Sequence, residues 1–151
     1  MEDLLMNYYL FREAEKSVYE DFCPYHYMVR ENSAATSAIN IHQMQDPIQV
    51  FETIRQDTDD ANLKRIIDAR LLAKRINNAT VVLRKNERNL LSCQESARRY
   101  IQKNLKAIVL GDFDMRQKMM ATWVAVSPET YSAFHKWYAH MKGMDKKYSV
   151  V

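Results

Sequence analysis

From Asp59 to Leu110 the chain contains neither a glycine nor a proline. No other feature narrows its possible folds so far. A strand-rich fold needs turn signals at intervals of about ten residues, and Gly and Pro supply most of the special backbone geometry that turns require. This run offers neither. It is filled with Leu, Ala, Lys, Arg and Gln, all good helix formers. The rest of the chain agrees, since 151 residues hold only 2 Gly and 3 Pro in all. An all-α fold is expected, and the length suits one domain with its own core, residues 112–151 being able to stand as a C-terminal subdomain.

As one straight helix, 59–110 would be on the order of 78 Å long at about 1.5 Å per residue. A compact chain of this size has a radius of gyration of about 15 Å. Either the run folds back or it protrudes toward a partner. Asn77-Asn78 and Arg84–Asn89 are the favoured break points, because Asn prefers turns to helix interiors. Ala69, Leu72, Ile76, Ala79, Leu83, Asn86, Leu90, Cys93, Ala97 and Tyr100 recur at alternate spacings of three and four, an apolar seam with one polar position at Asn86. Arg70, Lys74, Arg84, Lys85, Arg88, Arg99, Lys103 and Lys106 fall on the opposite side as a basic back. The expected fold is thus a helical bundle around a long basic amphipathic segment.

Charge is segregated along the chain. Residues 1–60 carry 4 Lys/Arg against 12 Asp/Glu, and residues 61–106 carry 12 against 3. The acidic part either screens the basic part within one molecule or leaves it for a polyanion. The start of the chain is acidic, without the basic and apolar regions of a secretory signal, and no apolar run reaches membrane-spanning length. Cys23 and Cys93 are isolated and form no CxxC. An intracellular setting is expected, whether cytoplasmic, nuclear or inside a virion, rather than a secreted one.

Smaller elements follow from local signals. Leu4, Leu5, Tyr8, Tyr9, Phe11, Val18, Tyr19 and Phe22 suggest a first helix over 3–22, ended by Pro24. A short helix over 34–45 is allowed. Asp46-Pro47 reads as a cap and first turn of a helix reaching Gln56. Gly111 should end the long segment. Asp114 should cap a helix over 115–124, and Ser127-Pro128-Glu129 should start the last one, running to Met141.

The most specific stretch is QKMMATWVAVSPETYSAFHKW, Gln117 to Trp137. Ala121 is a small residue where a second helix can cross closely. Met120, Val124, Val126, Tyr131 and Phe134 stand where two helices would lock, and Val126-Ser127-Pro128-Glu129-Thr130 forms the turn. These residues resemble the helix-turn-helix of bacterial and phage regulators over about 20 residues. Ala125 replaces the usual turn glycine, and Tyr131 replaces a usual β-branched residue. The resemblance implies that Ser127, Glu129, Ser132, Ala133 and Lys136 face a major groove, with Lys142, Lys146 and Lys147 near phosphates. Without DNA, the same residues describe two packed helices with a good cap.

Catalytic signals are missing. Cys23 and His26 make half of a zinc pattern, but Cys93, His42, His135 and His140 do not complete it. Glu13, Glu15, Glu20 and Asp21 lack an ExxH companion and read as a solvated acidic face. No Gly-rich phosphate loop, nucleophile elbow or Cys-His pairing is present. Asn78-Ala79-Thr80 fits a glycosylation triplet that has meaning only in a secreted chain. No cofactor, metal, small-molecule substrate or membrane partner is expected. The expected function is non-catalytic: a helical binding or assembly protein that engages a protein partner or itself. The alternative is a DNA-binding regulator using 117–138.

Overall fold

The computed structural model describes residues 2–18, 20, 40–85 and 90–142, with the side chains of residues 2 and 81–85 excepted. Every regular element among these residues is a helix, with no strand: α1 Glu2–Glu13, α2 Ile41–Asp57, α3 Ala61–Lys85, α4 Leu91–Leu110, α5 Met115–Val126 and α6 Pro128–Met141. The protein is an all-α bundle.

The Asp59–Leu110 run is two helices rather than one. α3 ends at Lys85, α4 begins at Leu91, and the two pack together. α3 runs unbroken through Asn77-Asn78, so the break is not there. Asn78 stays helical because its amide has a tertiary use: Nδ2 donates to the Met44 carbonyl of α2 at 2.9 Å, in a buried position. That burial also places the glycosylation triplet out of reach. Asn86 and Arg88 lie outside the described residues.

The starts of α2, α3, α5 and α6 have local causes. Asp60 Oδ1 accepts from the amides of Asn62 and Leu63 at 2.7 and 3.1 Å and opens α3. Asp114 accepts from Gln117 N at 2.7 Å and opens α5. Ser127, with Pro128 in the first turn, opens α6. α2 differs from expectation. Asn40 and Gln43 cap it reciprocally, so it starts at Ile41, and Pro47 lies inside the helix, buried. The box satisfies the amides of Asn40 and Gln43, so the helix is already under way when it reaches Asp46. Residues 34–39, part of the allowed short helix, lie outside the described residues.

α1 is also shorter than expected. It ends at Glu13, and residues 14–18 continue exposed, Val18 at 93%. Short helices hold through tertiary packing rather than propensity. The last anchors of α1 are Tyr8 and Arg12, both bonded to Asp57 at the end of α2.

The main core joins α3 to α6 through Leu72, Ile76, Ala79, Ala97, Ile101, Ile108, Ala121, Val124, Ala125 and Tyr131. A second cluster, Ile54, Ile67 and Leu71 with Leu5, Tyr8 and Phe51 beside it, holds α1 and α2 to α3. A third joins Met44 to Leu90 and Cys93. Of the described seam residues, Leu72, Ile76, Ala79, Leu90, Cys93 and Ala97 are therefore buried, but the last, Tyr100, is not. Tyr100 is exposed and Ile101 is fully buried, because the fold-back lets α4 choose its own phase against α3 and α5.

Candidate docking surfaces

The α5–α6 unit is fastened by polar contacts that the short turn makes necessary. The final carbonyls of a helix need partners from outside it. Here α4 provides them: Gln102 Nε2 donates to Ala125 O at 2.9 Å, and Arg98 Nη2 to Val126 O at 3.4 Å. Ser127 is at once the C-cap of α5, donating its amide to Trp123 O, and the N-cap of α6, accepting from Thr130 N. Trp123 Nε1 donates across the turn to Thr130 Oγ1 at 2.8 Å. From α5, Gln117 Nε2 reaches Ala69 O of α3 at 2.9 Å.

The expected locking residues divide. Ala121 and Val124 have no exposed surface and Tyr131 is buried, as a close crossing needs. Val126 is exposed at the end of α5, and Phe134, though also exposed, still meets α5 through Trp123. One residue separates the helices, fewer than the three or four of a helix-turn-helix turn. Of the groove-facing set, Glu129, Ala133 and Lys136 are exposed along one side of α6. Ser132 is buried at 4% and turns inward. It follows Tyr131 on the side of α6 that packs on α3. Ser127 is partly buried at the cap, Lys142 follows α6 as its exposed C-cap, and Lys146 and Lys147 lie outside the described residues.

The other exposed side of α6 is aromatic. Phe134 stands 5.0 Å from Trp123, 5.7 Å from Trp137 and 6.2 Å from Tyr138, ring centre to ring centre. Trp123, Phe134, Trp137 and Tyr138 are all exposed, and so are Met115, Met119 and Met141. A cavity of about 510 Å³ opens within this face, with Arg116 and His135 in its wall. The spacing of Phe134, Trp137 and Tyr138 groups them on α6, but the sequence alone does not show which side of α6 is covered by α3.

Among the described residues the basic back is divided between α3 and α4. Arg70 and Lys74 are exposed on α3, and Arg99, Lys103 and Lys106 on α4. The fold-back distributes them over two helices. Arg99 pairs with Glu95 on its own helix at 3.1 Å. The side chains of Arg84 and Lys85 lie outside those described. Part of the segregated charge meets inside the molecule: Arg75 binds Glu52 at 2.5 Å, and Lys64 approaches Asp59 at 3.9 Å. Arg55 and Asp68 join α2 to α3, and that carboxylate's hydrogen bond raises the guanidinium pKa of Arg55 further.

A second concavity of about 840 Å³ lies where α1, α2 and α3 meet. Its surface is mostly apolar, with Arg70 and Lys74 among its lining residues. Sequence reasoning missed it. The signal available was Leu63, Ile66 and Ile67, three apolar residues standing off the seam.

Among the described residues no three His, Cys, Asp or Glu side chains converge as metal ligands. No described helix is long and apolar enough to cross a membrane. Compared with known proteins, the chain matches no family model, no curated protein and no solved structure.

Proposed function

We propose that this chain is a non-catalytic helical binding protein, acting inside the cell, that engages a protein partner through the outer face of α5 and α6. The carrying observation is the cluster of exposed Trp123, Phe134, Trp137 and Tyr138, flanked by Met115, Met119 and Met141. Trp and Tyr dominate the energetics of protein interfaces, and methionine adapts to varied partner shapes. The caps and cross-helix bonds around Ser127 hold this face in place before binding, which lowers the ordering cost of association.

Site-specific photo-crosslinking tests the proposal. A benzophenone amino acid at Trp137 should capture a discrete protein adduct in cells. The same group at Arg99, on the exposed side of α4, should not. Equal yields at both positions, or none at Trp137, would reject the reading.

The DNA-binding alternative has one supporting observation: Glu129, Ala133 and Lys136 are exposed together along α6. Only Lys136 among them is cationic, and the adjoining surface is aromatic. Gel shifts at low salt with random duplex DNA decide it. Retardation that weakens steeply with salt and is lost in Lys136→Ala with Lys142→Ala would favour DNA.

A further inference from the structure

We infer that the trough between α1 and α3 is a docking groove for an acidic amphipathic helix of a partner protein. This site is separate from the α5–α6 face and does not rest on that reading.

The first argument is shape. Leu63, Ile66, Arg70, Ala73 and Asn77 all line the trough. They recur at spacings of three and four, so they form one stripe along α3, about 21 Å long at about 1.5 Å per residue. α1 supplies the facing wall through Leu4, Tyr8 and Phe11, and α2 the floor through Phe51 and Ile54. A trough between two helices, as long as a four-turn helix, is the form that receives a third helix by its apolar anchors. Its 840 Å³ takes several anchoring side chains. Ile66 and Phe11 are 52% and 67% exposed. A thin acyl chain on the floor would leave their outer surfaces wet, whereas a helix across the mouth covers them.

The second argument is charge. The other cations of α3 whose side chains are described have acidic partners: Lys64 has Asp59 at 3.9 Å, Arg65 has Asp112 at 3.6 Å, and Arg75 has Glu52 at 2.5 Å. Arg70 and Lys74 have none among the described residues, and both line the trough. They are one helical turn apart, where like charges repel. A carboxylate pair on an incoming helix would relieve that repulsion and fix the direction of docking, since Leu63, Ile66 and Ile67 line the other end with apolar surface.

The test uses fluorescence anisotropy on the whole chain. One labelled helical peptide has a leucine stripe flanked by glutamates, and a second has every glutamate replaced by lysine. The unaltered protein should prefer the glutamate peptide by about fivefold or more, two rim ion pairs being replaced by two repulsions. R70E/K74E should abolish or reverse the preference. R99E/K103E, with the same change of net charge on α4, should keep it. Equal binding of the two peptides, no binding, or a preference that survives R70E/K74E would overturn the inference. So would its loss in R99E/K103E, which would make the effect one of overall field. Light scattering on the same variants excludes a further case: a dimer dissolved by R70E/K74E would assign the groove to a second copy of this chain and overturn the partner assignment. Dodecanoate that binds there and resists the glutamate peptide would likewise overturn it.

Discussion

The guanidinium of Arg75 on α3 sits over the ring of Tyr100 on α4, 3.7 Å from its centre. Its Nη2 also donates to Glu52 of α2 at 2.5 Å, so one side chain ties three helices together. Arg75→Ala should cost about 2 kcal/mol, through the cation–π contact, the ion pair and the buried stem. Arg75→Lys should recover part of it, because lysine keeps the charge but lacks the planar fork. Urea denaturation measures both. A loss under about 0.5 kcal/mol for the alanine variant would show that the tie contributes nothing beyond an ordinary surface pair.

Gly111 should resist replacement for reasons of space. Its φ of −77° suits any residue. A β-carbon there, however, would lie 2.6 Å from the Ala107 carbonyl oxygen and 3.4 Å from the Phe113 ring. Gly111→Ala should destabilise by about 1–3 kcal/mol, the usual cost of overpacking. Thermal melting reads this directly, and an unchanged or raised midpoint would mean that the end of α4 shifts freely.

Cys93 is buried beside Met44 and Leu90, and Gln45 Nε2 donates to its sulfur at 3.6 Å. In a Cys23→Ala variant the remaining thiol should react with an aromatic disulfide reagent only as fast as the protein opens, and mild oxidation should give no crosslinked dimer. Immediate labelling in native buffer would contradict the packing of α4 on α2. A Cys93-dependent dimer would instead place the seam between two chains.

Tyr8 gives a pH signature. Burial first, then the hydrogen bond to Asp57, raises its phenol above the ordinary 10.0. The folded state therefore keeps a proton that the unfolded chain gives up. The resulting stability is complete below the unfolded pKa and is lost as pH rises through the folded one. Tyr8→Phe should lower stability at neutral pH and fall less steeply above pH 10. Parallel curves for the two proteins would place Tyr8 away from Asp57.

The parts legible in the sequence are those whose causes are local. Asp114, Ser127-Pro128 and Gly111 mark helix ends because caps are chemistry between neighbours, and the absence of Gly and Pro over 59–110 announced helix. What failed depends on distant contacts. Asn78 looked like a break because the sequence does not show that Met44 O awaits its amide. Pro47 looked like a helix start because the stronger cap at Asn40 lies seven residues earlier. Ser132 and Phe134 exchange the sides expected of them because α3 decides which face of α6 is covered. The α1–α3 trough is assembled from three separated segments, and no single one of them carries its pattern.

The two walls of that trough are held unequally. α3 is built into the main core through Leu72, Ile76 and Ala79. α1 rests on its neighbours through Leu5, Tyr8 and the Arg12–Asp57 pair, while Met6 and Leu10 face outward. Backbone amides exchange with solvent at rates set by the cheapest opening that frees them. The amides of α1 will therefore lose protection well before those of α3, without the core coming apart. The trough then has a fixed side and a yielding side, and its width can adjust to what enters at the cost of one helix lifting rather than of unfolding.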